Sequence, residues 1–157
     1  MTRDEPRIEV KGGDIDAVLD MNASPQDVYA AISDPQQIMQ WWGADNAYKP
    51  TNWRCDLRVG GRWRSEGVAP GGQTFFVEGE YLAIEPHRVL EYTWNVSWMP
   101  LPTTRVRWEL TPIATGTRVR VKHTGFGANT DAARSHSEER SGGWAAVLIW
   151  LNRYLKR

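Results

Sequence analysis

The chain has 157 residues, enough for one domain that buries roughly 70% of its unfolded surface with no disulfide staple. Lys+Arg and Asp+Glu both number 19, so no bulk electrostatic pull toward nucleic acid or an anionic membrane is expected. Charged residues at 24% and hydrophobic residues at 41% exclude wholesale disorder, and a single cysteine, Cys55, excludes an intrachain disulfide and a multi-cysteine metal site.

Residues 1–13 are polar, end in Gly12-Gly13 and read as a flexible N-terminal tail. No apolar signal segment opens the chain and no run approaches the roughly 18 residues of a membrane span, so the expected compartment is the cytoplasm. Residues 15–21 alternate, with Ile15, Ala17, Leu19 and Met21 against Asp16 and Asp20, and predict a first strand. In Ser24-Pro25-Gln26-Asp27 the serine suits an N-cap, the proline the first helical position and the aspartate the first turn. Val28, Ala31 and Ile32 form the buried side of that short helix. Asp34-Pro35 breaks it and starts another, Gln36 to Trp42, which Gly43 ends.

Turn signals at Gly60-Gly61, Pro70-Gly71-Gly72, Pro86-His87, Pro100 to Pro102 and Thr115-Gly116 divide the middle of the chain. They predict antiparallel strands over 52–58, 62–68, 74–84, 88–98, 104–113 and 117–125. Alternation sorts these strands into two faces. One is dry, with Trp53, Cys55, Leu57, Trp63, Tyr81, Tyr92, Trp94, Trp108 and His123 among its members. The other carries Arg105, Arg107, Arg118, Arg120 and Lys122, with Glu78, Glu80, Glu91 and Glu109 placed to pair with them across the sheet, which reads as a solvated face and not a nucleic-acid surface. Residues 126–142 are rich in Gly, Ser and charge and read as a loop with at most a helical turn. Gly143 to Lys156 is the longest predicted helix, and Trp144, Val147, Leu148, Trp150, Leu151, Tyr154 and Leu155 share one apolar arc. A sheet with one dry face and helices segregated to one side is α+β.

Five blocks then stand in a telling order: Pro25 and Val28 with Asp34-Pro35 and Trp41-Trp42-Gly43; Gly60-Gly61-Arg62-Trp63; Gly79-Glu80-Tyr81 with Leu90-Glu91-Tyr92-Thr93-Trp94; Gly116-Thr117-Arg118-Val119 with His123-Thr124-Gly125-Phe126; and Gly142-Gly143-Trp144. Together they resemble the activator-of-heat-shock-protein-90-ATPase-like branch of the SRPBCC superfamily (START-like, Bet v 1-like), over about residues 14–156. The resemblance implies a single domain over 14–157 with a helix-grip fold: a curved seven-stranded antiparallel sheet around the C-terminal helix, two short helices after the first strand, and a cavity between sheet and helix. Proteins of this superfamily include lipid and hormone binders, polyketide cyclases, an enediyne-resistance protein and a co-chaperone domain, so function does not follow from the fold.

Aromatic residues are 11% of the chain and 9 of them are tryptophan, a residue that fills cores and walls binding cavities alike. Trp41, Trp42, Trp63, Tyr81, Tyr92, Trp94, Trp108, His123, Trp144 and Leu148 are the candidate ligand-binding set. The expected ligand is small and hydrophobic, aromatic or polycyclic, and Tyr81, Tyr92 and His123 would orient it by hydrogen bonds. Trp41 and Trp42 are neighbours on a helix and point about 100° apart, so one would cover a ligand while the other packs. An alternative is a cyclase- or hydrolase-type enzyme using His123 and a cavity tyrosine as acid–base groups. A stress-related, co-chaperone-like interaction domain with a protein partner, or a homodimer, is a third reading. No catalytic residue, cofactor or metal is assigned: His87, His123 and His136 lack ligand spacing, and Gly125-Phe126-Gly127 lacks the third glycine of a dinucleotide loop.

Overall fold

A computed structural model describes residues 5–11, 13–43, 49–98, 102–126 and 131–156, with the backbone alone for 131–142. Eight strands form one curved antiparallel sheet in the order β1-β2-β8-β7-β6-β5-β4-β3. They are β1 (Arg7–Lys11), β2 (Asp14–Met21), β3 (Lys49–Cys55), β4 (Arg62–Val68), β5 (Thr74–Glu85), β6 (Val89–Val96), β7 (Thr104–Ile113) and β8 (Gly116–Thr124). Helices α1 (Pro25–Ser33) and α2 (Pro35–Trp41) follow β2, and α3 (Asp131–Leu155) ends the chain. The helix-grip architecture expected from the sequence is present, with one strand more than the seven anticipated.

The helices start as their sequences dictate. Ser24 Oγ accepts the Asp27 amide at 3.1 Å, and Asp34 Oδ1 accepts the Gln36 amide at 3.0 Å, so each cap satisfies an amide that the first turn leaves open. Both α1 and α2 carry proline in their first turn, where no amide proton is missed. In the sheet, Val106 lies opposite His123, Trp108 opposite Val121 and Leu110 opposite Val119, which stacks the dry residues on one face. The alternate pairs, Arg107 with Lys122 and Glu109 with Arg120, face outward.

Three expectations change. Residues 7–11, expected in a flexible tail, form β1. Ile8 pairs with Ala17 and packs against the core, and the strand closes the edge of β2. Leu57, expected on the dry face, is 42% exposed: β3 ends at Cys55, and the Asp56 amide bonds to the Arg62 carbonyl as the chain turns. The segment read as a loop over 126–142 is helical from Asp131, so Gly142 and Gly143 lie inside α3 instead of opening it. The expected turn at Pro100 and the residues ahead of Glu5 lie outside the described residues. Among the described residues no helix is long and apolar enough to cross a membrane.

Trp144, Val147, Leu148 and Leu151 of α3 are buried in the same apolar cluster as the inner face of the sheet. One glycine makes that packing possible. A Cβ on Gly79 would stand 1.9 Å from the Thr93 carbonyl oxygen and 2.6 Å from Trp63 Nε1. Its absence lets the Trp63 indole cross β5 and donate to the Thr93 carbonyl at 3.2 Å.

Candidate functional site

All ten candidate residues are buried, and they gather in the core between sheet and α3. Sheet alternation delivers Trp63, Tyr81, Tyr92, Trp94, Trp108 and His123 to one face, and helical spacing delivers Trp144 and Leu148 from α3. Their rings form a continuous network. Trp94 lies 5.7 Å from Trp63 and 5.8 Å from Trp144, and Trp144 lies 5.9 Å from Trp108 and 6.1 Å from Trp42. These tilted and edge-to-face arrangements are the ones that ring quadrupoles favour.

The tryptophan pair at the end of α2, Trp41 in its last turn and Trp42 as its C-cap, divides its labour. Trp41 Nε1 donates to the Ala31 carbonyl at 2.9 Å, which fastens α2 to α1. Trp42 faces the ring network, 5.1 Å from Trp53 and edge-on to Trp144.

His123 is fully buried and both of its ring nitrogens are bonded within the protein. Nδ1 accepts the Trp144 indole proton at 2.9 Å. That leaves the ring proton on Nε2, which lies 2.7 Å from Thr104 Oγ1. Thr104 in turn donates to the Trp94 carbonyl at 3.3 Å. Every proton in the series has one direction, and the imidazole is neutral. His123 therefore orients Trp144 and Thr104; the hydrogen bond to a ligand expected of it has no nitrogen left to make it.

The tyrosines lie in the same cross-strand row as His123, where Tyr81 pairs with Tyr92, Tyr92 with Val106 and Val106 with His123. Tyr92 Oη accepts the Trp108 indole proton at 2.9 Å. Tyr81 shares a hydrogen bond with the Cys55 thiol. Burial pushes both tyrosine hydroxyls well above the ordinary phenol range, and pushes the Cys55 thiol up as well. All three groups are neutral donors near pH 7, and none is an activated nucleophile or base.

Two residues outside the candidate set complete the site. Trp53 stacks on Trp63 at 6.0 Å and 18°, and it is only half-buried, as is Cys55 two residues on. Both sit on β3, the edge strand, so the aromatic wall is exposed along that edge. The alternation of β3 already puts Trp53 on the inner face; the register cannot say that it forms the rim. Thr104 shares the parity of Val106 and Trp108, yet its bond to His123 crosses strands and leaves no mark in sequence.

On the outer face, Arg118 grips Asp20 with two bonds of 2.8 and 3.0 Å, Arg120 meets Asp16 at 2.8 Å, and Arg107 meets Glu91 and Glu109 at 2.8 and 2.7 Å. Arg107, Arg118, Arg120 and Lys122 are thus paired with acids, with β2 supplying acids that the cross-strand reading did not include. A separate surface groove of about 350 Å³ between α1, α2 and the end of α3 is lined by Asp27, Ala30, Gln37, Tyr154 and Leu155, and holds none of the candidates. Among the described residues no three metal-ligating side chains cluster.

Residues 22–156 match the family described as activator of Hsp90 ATPase homolog 1-like protein. No curated protein matches the chain. Among solved structures, a Rhodobacter sphaeroides protein is 20% identical with a TM-score of 0.83, over 97% of this chain and 98% of its own. A Chromobacterium violaceum protein is 24% identical with a TM-score of 0.78, over 94% and 99%. An AHSA1-like protein from Aeromonas hydrophila is 23% identical with a TM-score of 0.74, over 91% and 92%. At such identities these neighbours establish the fold.

Proposed function

The chain belongs to the activator of Hsp90 ATPase homolog 1-like family, whose SRPBCC fold commonly binds hydrophobic ligands, and from that premise we propose that it binds a small aromatic or polycyclic molecule between the sheet and α3. One observation carries the reading. Trp42, Trp53 and Trp63 form an uncharged aromatic wall, with neighbouring rings 5.1 and 6.0 Å apart, and that wall is half-open at Trp53 along the edge strand. A flat ligand laid there gains at roughly 25 cal/mol per Å² of apolar surface removed from water, before entropic costs. Trp94, Trp108, Trp144 and Leu148 back the wall as a rigid floor, and His123 fixes that floor. The acid–base alternative draws no support from this geometry, because the neutral His123 is bonded at both nitrogens.

The test is a tryptophan fluorescence titration with neutral polycyclic aromatics such as phenanthrene and pyrene. Saturable quenching is expected, and Trp53→Ala, checked for native circular dichroism, weakens it by about 10-fold through lost stacking area. Absence of saturable binding across the panel refutes the proposal.

A further inference from the structure

Among the described residues the hydroxyl proton of Tyr92 is uncommitted. Its oxygen accepts the Trp108 indole N–H at 2.9 Å, the side chain is 8% exposed, and among the described residues no acceptor takes the O–H in return. Buried hydroxyl donors are normally paired with protein, water or ligand. Accepting the indole proton also polarises the phenol and makes it a stronger donor. The Tyr92 ring stands edge-on to Trp63 at 5.1 Å and to Tyr81 at 6.1 Å, so the donor adjoins the aromatic wall.

The surroundings decide what the donor suits. Tyr81 and Cys55 beside it are neutral, and burial keeps them so. The carboxylate of Asp34, at the junction of α1 and α2, makes a small further contribution to raising the Cys55 thiol, after burial. Its sign opposes a second anion. Arg107, Arg118 and Arg120 lie on the far face of the sheet and are held by Asp16, Asp20, Glu91 and Glu109. A carboxylate drawn into this corner would lose its hydration and meet no counter-charge, whereas a neutral oxygen would find one donor.

We propose that Tyr92 is the polar anchor of the site, donating its hydroxyl proton to the acceptor oxygen of an uncharged aromatic ligand, a ketone, quinone or aryl ether, and that the site rejects the matching carboxylate. This rests on the reading that an aromatic molecule occupies the Trp42–Trp53–Trp63 wall, and it adds the ligand's charge and the position of its oxygen.

Three ring-matched probes separate the two claims: naphthalene, 2-acetylnaphthalene and 2-naphthoate, each titrated while the indole N–H signals are followed by nitrogen-15 NMR. The ketone binds about 5-fold tighter than naphthalene, the worth of one added hydrogen bond, and the carboxylate at least about 10-fold weaker than the ketone. Tyr92→Phe brings the ketone down to the affinity of naphthalene and leaves naphthalene within about 2-fold, since the ring area is kept. Because Tyr92→Phe also strips the Trp108 N–H of its acceptor, the double variant Tyr92→Phe/Trp108→Phe, which removes donor and acceptor together, is measured alongside and also shows no preference for the ketone. Trp108→Phe alone keeps that preference. A ketone advantage that survives Tyr92→Phe, or a carboxylate that binds as well as the ketone, overturns the anchor while the aromatic site stands. If none of the three probes binds, the aromatic site fails and the anchor falls with it.

Discussion

Gly79 shows how much of the site depends on one missing methyl group. Trp63 can lie across β5 and bond to the Thr93 carbonyl because nothing projects from the residue opposite it. In Gly79→Ala the new Cβ lands 1.9 Å from a backbone oxygen, which has no freedom to step aside, and 2.6 Å from the indole nitrogen. Overpacking against backbone is destabilising by about 1–3 kcal/mol or more. Urea denaturation is therefore expected to show a loss of at least about 2 kcal/mol, with Trp63 displaced and β5 pushed away from the Thr93 carbonyl of β6. A variant as stable as the parent would show that Trp63 has another resting place. His123 makes the complementary point about legibility. Alternation places it on the dry face, but its tautomer and its service to Trp144 and Thr104 depend on partners 21 and 19 residues away. Parity along a strand says which way a side chain points and nothing about which distant proton it receives.

Among the elements, those with a strong internal period were legible and those with a weak one were not. The six middle strands carry alternation over 7 to 12 residues, and their two faces follow from it. β1 has only Ile8 and Val10 among three charged neighbours, too short a pattern to separate from a polar tail. Its strand character comes from outside, from the open edge of β2. The first half of α3 was hidden for another reason: Gly142-Gly143 reads as a helix start, since each glycine costs a helix about 1 kcal/mol, yet a 25-residue helix tolerates both in its interior. β1 supports a prediction. Removing residues 1–11 deletes five residues of pairing and the packing of Ile8, and bares β2. The truncated chain is expected to fold with a Tm lower by several degrees, about 2–4 °C per kcal/mol lost for a chain of this size, and to self-associate through the uncovered edge. An unchanged Tm, with no concentration-dependent association in sedimentation, would show that β1 contributes nothing.

For the molecule as a whole, the separation of charge from aromatic surface makes stability depend on pH at both ends of the scale, through different faces. On the outer face, hydrogen bonding from Arg118 holds the Asp20 carboxyl below its ordinary range, and Glu109 is also held low: burial works against its charged form, but Arg107 and Lys122 prevail. A carboxyl lowered on folding stabilises the fold above the unfolded-state pKa, about 4, and that contribution is lost as the pH falls through the folded value. On the inner face the sign reverses. Tyr81 and Tyr92 are raised by burial, so the folded state favours their neutral forms. Their contribution is complete below the unfolded phenol pKa, about 10, and declines as the pH rises beyond it, because the unfolded chain ionises first. Urea midpoints measured from pH 3 to pH 11 should therefore trace a plateau with two shoulders. Asp20→Asn is expected to shrink the acid shoulder and leave the alkaline one. Tyr81→Phe, which keeps the ring and deletes the ionisable hydroxyl, is expected to shrink the alkaline shoulder alone. If Tyr81→Phe left the alkaline shoulder at full height, the surroundings of the tyrosines would be open to water and not the dry, neutral corner on which the ligand preference depends.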